Sequence, residues 1–191
     1  MLRAASALSC KSLARFSEKL LQEIWSPNLQ RLTRLPLPSA QEVVLVAREF
    51  GIPEVLKRAL YEVLRDPTAH DKLAADDLHR VHKAHGELQM AWAGFIWTMP
   101  NSHAFQCHAR TRAEARVCSA AQEHDRFQTW RDLLEEHELF SPSDPLDGLK
   151  SLADLHWAAL GYCPTCVTAR REVFARKREE LWEKMDQWLD L

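Results

Sequence analysis

Four cysteines in two separated pairs place the strongest constraint on how this chain can fold. Cys163 and Cys166 form a tight C-x-x-C sequence, and Cys107 and Cys118 lie well upstream of it. A two-residue spacer lets a single turn present both sulfurs to one metal ion, and four thiolates close a tetrahedral zinc site. The two pairs therefore predict a structural zinc that joins two distant segments of the chain.

The upstream pair restricts the conformation of the segment between its members. In a continuous helix, the eleven positions from Cys107 to Cys118 would span roughly 16 Å. That distance is too long for two sulfurs that each lie about 2.3 Å from a shared ion. We therefore expect this segment to loop, with Cys118 in the first turn of the following helix. His103 or His108 could replace Cys107 as a ligand, and the thiols could instead be small buried side chains without a metal.

A C-x-x-C sequence also occurs in thiol–disulfide redox proteins. The pair Cys163 and Cys166 precedes a helical pattern, as the C-P-x-C sequence does in thioredoxin-like folds. Those folds place the sequence in a βαβ unit, and no strand pattern flanks it in this chain. The redox interpretation is therefore the weaker alternative to a metal site.

Apolar residues recur at helical spacing along most of the chain, and proline or glycine separates the resulting segments. Ser39 and Glu42 match the spacing of a capping box at the start of the second segment. A tight Gly-Ile-Pro turn joins the second segment to the third, so we expect these two to pack as a helical hairpin. With no alternating strand pattern, the expected fold is all-α: helical hairpins followed by a helical segment pinned by its cysteines. The predicted helices cover 2–25, 39–50, 53–65, 74–97, 118–140, 146–160 and 167–191.

The charge and cysteine content exclude several classes of protein. The chain has 25 Lys and Arg residues against 27 Asp and Glu residues, so it carries no bulk charge that would demand nucleic acid or an anionic membrane. Its five cysteines are an odd number, and a secreted disulfide scaffold pairs its cysteines in a much shorter chain. No apolar run approaches the length that spans a bilayer. We expect a reducing, intracellular location in the cytoplasm or the nucleus.

Residues 1–17 contain three basic side chains and no acid, which is the composition of a mitochondrial presequence. However, apolar residues at helical spacing continue from this stretch into an acidic helical segment that ends at Trp25. We therefore interpret residues 2–25 as an ordinary amphipathic helix.

Seven tryptophans are many for a chain of this length. Trp182 and Trp188 lie on an apolar stripe near the end of the sequence, which could be core or a partner surface. Four others are expected to fill the interhelical core, with their ring N–H groups bound to carbonyls. They are Trp92, Trp97, Trp130 and Trp157.

No arrangement of residues that is typical of catalysis is recognisable. His79, His82 and His85 recur every three positions and therefore drift around the helix, as a solvated polar face does. The sequence contains no H-E-x-x-H, phosphate-binding or dinucleotide-binding motif. We therefore expect a protein without enzymatic activity.

Basic residues flank both cysteine pairs, which raises a nucleic-acid-binding alternative. Glu172–Arg176 and Arg176–Glu180 are pairs at i, i+4, so a solvated, salt-bridged helix surface also explains these charges. We favour the solvated surface and do not expect nucleic-acid binding. The basic residues are Arg110, Arg112, Arg116, Arg170, Arg171, Arg176, Lys177 and Arg178.

The sequence resembles the region that follows the BTB/POZ fold in proteins of mushroom-forming fungi. The resemblance rests on LRAASALSCKSLARFSEKLLQEIW at 2–25, VVLVAREFGIPEVLKRALYEVLR at 43–65, Asp144-Pro145-Leu146 and the late C-x-x-C sequence, and it covers nearly the whole chain. It implies three segments: the tail helix of a truncated BTB domain and a linker (1–35), a BACK-like helical region (36–100) and a paired-cysteine region (101–191).

In that family the BTB domain mediates protein association, and in some branches it recruits a cullin ubiquitin ligase. The BTB sheet is missing from this sequence, so dimerisation and cullin docking do not carry over. What remains is the expectation of an adaptor module that binds other proteins, contains structural zinc, and self-associates weakly through outward apolar positions such as Leu8 and Phe16. Its expected metal ligands are Cys107, Cys118, Cys163 and Cys166.

Overall fold

In a computed structural model the chain is all-helical, as the sequence pattern predicts. The structure describes residues 1–66, 68, 70–122 and 125–191, and within these ranges it contains ten α-helices and no β-strand. Short 3-10 turns lie at Leu29–Arg31, Pro53–Val55, Met99–Asn101 and His103–Phe105. The α-helices are α1 (Leu2–Ala7), α2 (Lys11–Ile24), α3 (Ala40–Phe50), α4 (Leu56–Arg65), α5 (Ala75–Thr98), α6 (Arg112–Val117), α7 (Ser119–Gln122), α8 (Arg126–Glu136), α9 (Pro145–Asp154) and α10 (Pro164–Trp188).

The helices form two compact units. Unit 1 comprises Met1–His85 and Met185–Leu191, and unit 2 comprises Gly86–Lys184. Both boundaries lie inside long helices, one in α5 and the other near the end of α10. The three segments that the sequence predicts have other boundaries, at 35/36 and 100/101, and they stay a prediction.

The predicted helical hairpin is formed by α3 and α4 in unit 1. α3 ends at Gly51, whose φ of +64° is the left-handed conformation that glycine adopts without strain. The Ile52 N–H turns back to donate to the Ala47 carbonyl at 2.9 Å. α4 buries Leu60 and other apolar residues against α3. Each fully buried side chain of this size contributes about 1.5–3 kcal/mol, so apolar packing holds the hairpin together.

A buried ionic cluster fastens the preceding linker to α4. Glu62 is fully buried, with Oε1 2.6 Å from Arg58 Nη2 and Oε2 3.0 Å from Arg65 Nη1. The Leu37 N–H donates to the same carboxylate at 3.2 Å. Arg65 Nη2 also donates to the Thr33 carbonyl at 2.9 Å. One carboxylate and two guanidinium groups therefore hold the linker in place.

The N-terminal segment is broken, and the prediction of one helix over residues 2–25 is wrong. Ser9 adopts a φ of +54°, between α1 and α2. The Cys10 N–H donates to the Ala5 carbonyl at 2.9 Å, and the Ser9 N–H donates to the Ser6 carbonyl. These bonds satisfy the last carbonyls of α1 and end the helix, as a left-handed residue commonly does.

Three other details of the predicted helices are wrong. Ser39 has a φ of +63° and its side chain caps no N–H, so the capping box does not form. The predicted helix 118–140 is divided into α7 and α8, and residues 123–124 between them lie outside the described residues. Asp125 starts α8 by accepting a hydrogen bond from the Gln128 N–H at 3.0 Å. The helix predicted over 146–160 ends at Asp154.

Stacked aromatic rings form the centre of unit 2. Phe174 of α10 lies between Trp130 and Trp157, with ring centroids 6.2 and 5.9 Å away and interplanar angles of 8° and 14°. The two indole N–H groups donate to the carbonyls of Ile96 and Leu152 at 2.8 and 2.9 Å. The prediction that these tryptophans fill the core with satisfied N–H groups is therefore confirmed.

The prediction is also confirmed for Trp92, which is buried and donates to the Phe140 carbonyl at 3.4 Å. It is wrong for Trp97, which is 73% exposed. Trp97 follows the buried Ile96 on α5, and one residue rotates a helical side chain by about 100°. The stripe near the end of α10 is core rather than surface, because Trp182 and Trp188 are both buried.

Replacing Glu62 with alanine is expected to lower the free energy of unfolding by about 3–5 kcal/mol. The change removes the shared carboxylate from two guanidinium groups that remain inside the protein. Urea unfolding followed by circular dichroism measures the loss. Glu49→Ala is the control, because it breaks an exposed ion pair with Arg3 and should cost less than about 1 kcal/mol. Equal losses in the two variants would contradict the role given to Glu62.

Candidate metal centre

Three separate parts of unit 2 bring the four predicted cysteines together. Cys163 immediately precedes α10 and Cys166 lies in its first turn. Cys118 lies between α6 and α7, and Cys107 follows the 3-10 turn at His103–Phe105. Their sulfur atoms all lie within 4.8 Å of one another. The chain between the upstream pair contains the short helix α6 but no continuous helix, so both thiols can reach one point.

The spacing of the sulfurs suits a metal ion at their centre. The Sγ atoms of Cys118 and Cys166 are 3.8 Å apart. A tetrahedral ion with metal–sulfur bonds of about 2.3 Å has sulfur–sulfur edges of about 3.8 Å. Cys118, Cys163 and Cys166 are buried, and Cys107 is half-buried. The four cysteines therefore form a cluster that could hold a metal ion.

Main-chain N–H groups point at two of the sulfurs. The Cys163 N–H donates to Cys118 Sγ at 3.3 Å, and the His108 N–H donates to Cys166 Sγ at 3.2 Å. Such bonds favour the charged thiolate and fix the direction of its lone pairs. The segment that carries Cys163 therefore orients the Cys118 sulfur, and the segment that follows Cys107 orients the Cys166 sulfur.

The environment moves the thiol pKa values in opposite directions. Burial alone would raise the pKa of Cys118, but the N–H groups of Cys163 and Ala120 and the neighbouring thiols outweigh it and lower this pKa to about 7. Burial raises the pKa of Cys166 to about 12 despite the His108 N–H, and burial also raises the pKa of Cys107. Because Cys107 and Cys166 hold their protons more tightly than a free thiol does, metal binding must release protons from both.

Gly161 and Ser119 align Cys118 with Cys163. The Ser119 N–H donates to the Gly161 carbonyl at 3.0 Å, and Ser119 Oγ donates to the Leu160 carbonyl at 2.7 Å. Gly161 has a φ of +85°, and a Cβ atom there would lie less than 3.0 Å from Ser119 Oγ. An alanine at this position would have to adopt the left-handed conformation and displace the Ser119 hydroxyl, so the close crossing of the two segments favours glycine.

The two histidines that could replace Cys107 are not part of the cluster. Among the described residues, the group of potential ligands consists of the four cysteines and contains no histidine. The ring of His108 contacts the ring of His103 at a centroid distance of 4.5 Å, and its Nε2 atom lies 2.9 Å from the His103 carbonyl. His108 takes part through its main-chain N–H instead.

A fully buried arginine adjoins the segments that carry the cysteines. The guanidinium carbon of Arg170 lies 3.9 Å from the ring centroid of Tyr162, 4.5 Å from that of Phe105 and 5.3 Å from that of Trp157. Its Nη1 atom donates to the Ala104 carbonyl at 3.3 Å. The Nε and Nη2 atoms have no hydrogen-bond partner among the described residues.

Contacts with the described residues offset only part of the free-energy cost of burying the Arg170 charge. Within the described part of the chain, no carboxylate forms an ion pair with this arginine. Contacts between a cation and aromatic rings contribute about 2 kcal/mol or more when water is excluded. The cost of burying an ion is several kcal/mol even after the protein relaxes. The rings offset part of that cost, and a negative charge nearby would offset the rest.

The residues proposed for nucleic acid binding do not form one exposed face. Arg170 is enclosed by rings, and Arg178 is buried with its Nε atom donating to the Leu146 carbonyl at 3.1 Å. Two of the eight basic side chains are therefore held inside the protein. The three histidines of α5 (His79, His82 and His85) are exposed, as the interpretation of a solvated face predicts.

The sequence places Arg170 among the basic residues that flank the cysteines but does not predict its burial, and no pattern in it indicates a role for Gly161 or Ser119 in this region. A signal for Arg170 was present, because it lies four residues after Cys166 and therefore on the same face of α10. In the sequence, Gly161 directly follows the helix predicted over 146–160 and indicates only the end of that helix. Its contact with Ser119 joins residues that are far apart in sequence, and no local pattern indicates it.

The chain matches no protein-family model, no curated protein and no solved structure. The resemblance to the region that follows a BTB fold therefore stays an expectation. In the described ranges, no helix combines the length and the apolar character needed to cross a membrane.

Gly161→Ala is expected to destabilise unit 2 by more than about 2 kcal/mol. The left-handed backbone alone costs an alanine about 1–2 kcal/mol, and the contact with Ser119 Oγ adds to that cost. Gly51→Ala is the control, because Gly51 also has a positive φ but, among the described residues, no atom within 4 Å of an added Cβ. Urea unfolding should show a larger loss for Gly161→Ala, and the added change Ser119→Ala should recover part of it. Equal losses for the two glycine variants would contradict the close crossing.

Proposed function

We propose that this chain is a non-enzymatic module that binds other proteins and is stabilised by a structural zinc ion. The observation that carries the proposal is the buried cluster of four thiols. Four protein ligands fill a tetrahedral coordination shell and leave no position for a water molecule or a substrate. Catalytic zinc sites keep such a position open, so this arrangement favours a structural role.

Zinc is the metal that best suits four cysteine ligands in a reducing compartment. Thiolates are soft ligands, and tetrahedral coordination by four sulfurs is typical of zinc or of iron–sulfur sites. All five cysteines of the chain are free thiols, which is compatible with the cytoplasm or the nucleus. The N–H groups directed at Cys118 and Cys166 are the kind of outer contact that supports thiolate ligands.

Protein purified without chelator is expected to contain about one zinc ion per chain. Cys163→Ser should lose the metal and much of the helical structure of unit 2, because the binding free energy of a structural zinc contributes directly to folding. Elemental analysis and circular dichroism measure both effects. Cys10→Ser is the control, since Cys10 lies outside the cluster and should not affect zinc content.

Two results would contradict this proposal. Wild-type protein without bound metal would show that the thiols are only buried side chains. Reduction of insulin disulfides by the wild-type protein, abolished by Cys163→Ser, would instead favour the redox alternative.

An adaptor needs an exposed surface for its partner, and α2 offers one. Ser17 is the one buried residue of this amphipathic helix. Phe16, Leu20 and Ile24 are 58%, 38% and 53% exposed, and their spacing of four residues places them on one stripe. Leu8, between α1 and α2, is also exposed. The resemblance to a segment that adjoins a BTB domain agrees with such an uncovered face.

A second copy of the chain is the occupant that we propose for this stripe. Arg15, Lys19 and Glu23 flank it on one side. In an antiparallel pair of α2 helices centred on Leu20, Glu23 of one copy would face Arg15 and Lys19 of the other. A few side chains bury much less than the roughly 800 Å² per partner of stable complexes. The association is therefore expected to be weak.

Phe16→Glu is expected to weaken self-association at least tenfold. Burying a carboxylate in an apolar contact costs more than the 1.4 kcal/mol or so that corresponds to a factor of ten. Sedimentation equilibrium on the full chain measures the association constant. Met90→Glu is the matched control, because Met90 is 64% exposed on α5, outside the stripe. A monomer mass for the wild type at every concentration would rule out the proposed contact.

A further inference from the structure

The buried side chain of Arg170 connects segments that carry the thiol cluster. Its ring partner Phe105 lies two residues before Cys107, and its ring partner Tyr162 immediately precedes Cys163. The guanidinium group therefore contacts one segment from each of the two cysteine pairs. A displacement of either segment would disturb a contact with the same cation.

Arg170 also lies on the same helix as a third cysteine, Cys166. It lies four residues after Cys166 on α10, which is about one helical turn. Both residues are buried on the same face of that helix. The fourth thiol, that of Cys118, is held against this group by the N–H of Cys163. Three of the four cysteines therefore lie on segments that contact or carry Arg170. The fourth, Cys118, is linked to one of these segments by the hydrogen bond from the Cys163 N–H.

The charge of Arg170 has no counterpart in the polypeptide as described. An arginine stays protonated at any physiological pH. Its Nε and Nη2 atoms lack hydrogen-bond partners within the described residues, and the three rings supply only a partial negative face. A zinc ion bound by four thiolates would carry a net charge of −2. Such a centre would place negative charge beside the segments that carry Phe105 and Tyr162, the ring partners of Arg170.

We infer that Arg170 is the counter-charge of the metal centre and the residue that positions its ligand segments. This inference rests on the proposed zinc site. In a buried setting, attraction between a cation and an anionic centre is screened little by water or salt. The guanidinium group therefore raises the affinity of the four thiolates for zinc. Its stacking on Phe105 and Tyr162 also holds the segments that carry the two cysteine pairs at a fixed separation.

Replacing Arg170 tests the inference through the zinc dissociation constant, measured by competition with a chelator of known affinity. Arg170→Met removes the charge but keeps an apolar side chain of similar length. We expect it to bind zinc roughly 10 to 100 times more weakly than the wild type, the range found for outer contacts of metal sites. Arg170→Lys keeps the charge and should recover at least half of that loss on a logarithmic scale.

Arg178→Met is the matched control, because Arg178 is a second buried arginine on α10 and lies two turns further from the cysteines. It should leave the dissociation constant within about twofold of the wild type. Arg170→Gln replaces Arg170→Met if the methionine variant does not fold with saturating zinc. Circular dichroism in excess zinc verifies that each variant is folded.

The outcomes separate this inference from the proposed zinc site. Wild-type protein that binds no zinc would overturn both. Wild-type protein that binds zinc, with an unchanged dissociation constant in the neutral Arg170 variant, would overturn only the role of Arg170. Equal losses in the lysine and neutral variants would show that the charge has no part in metal binding, and would overturn the counter-charge.

Discussion

One buried face of α10 is the constraint on which unit 2 depends. Cys166, Arg170, Phe174 and Arg178 follow one another at intervals of four residues, and all four are buried. This face meets the thiol cluster at its first turn, the aromatic rings around Arg170 at the second, and the stacked tryptophans at the third. Because successive turns share one rigid helix, the position of the sulfurs is coupled to the packing of the rings.

The two units bury arginine in different ways. In unit 1, Arg58 and Arg65 share the carboxylate of Glu62, which is fully buried between them. In unit 2, Arg170 is surrounded by rings and lacks such a carboxylate among the described residues. Burying an unpaired charge is costly in either unit. The contrast supports an anionic partner that is not a side-chain carboxylate, and a metal bound by thiolates meets that description.

The four-cysteine cluster and the exposed apolar stripe on α2 are the two features on which the proposed function rests. The cluster joins segments that are far apart in sequence, so a bound ion would reduce the conformational freedom of the long loop that it closes. The stripe on α2 lies in unit 1, away from the cysteines in sequence. In the proposed function, the metal would stabilise unit 2 and the stripe on α2, in unit 1, would bind the partner.

Much of the fold follows from local sequence. Helical periodicity, together with glycine and proline at segment ends, is sufficient to predict an all-α chain, the hairpin of α3 and α4, and a long helix after the C-x-x-C sequence. α10 begins three residues before the predicted start, at Pro164. The spacing of the cysteines indicates four potential ligands. Local patterns do not show the break at Ser9, the exposure of Trp97 or the crossing of Gly161 and Ser119. Arg170 looks like a surface charge in the sequence, and only the packing of three distant rings around it decides otherwise, because burial depends on contacts between residues that no local pattern relates.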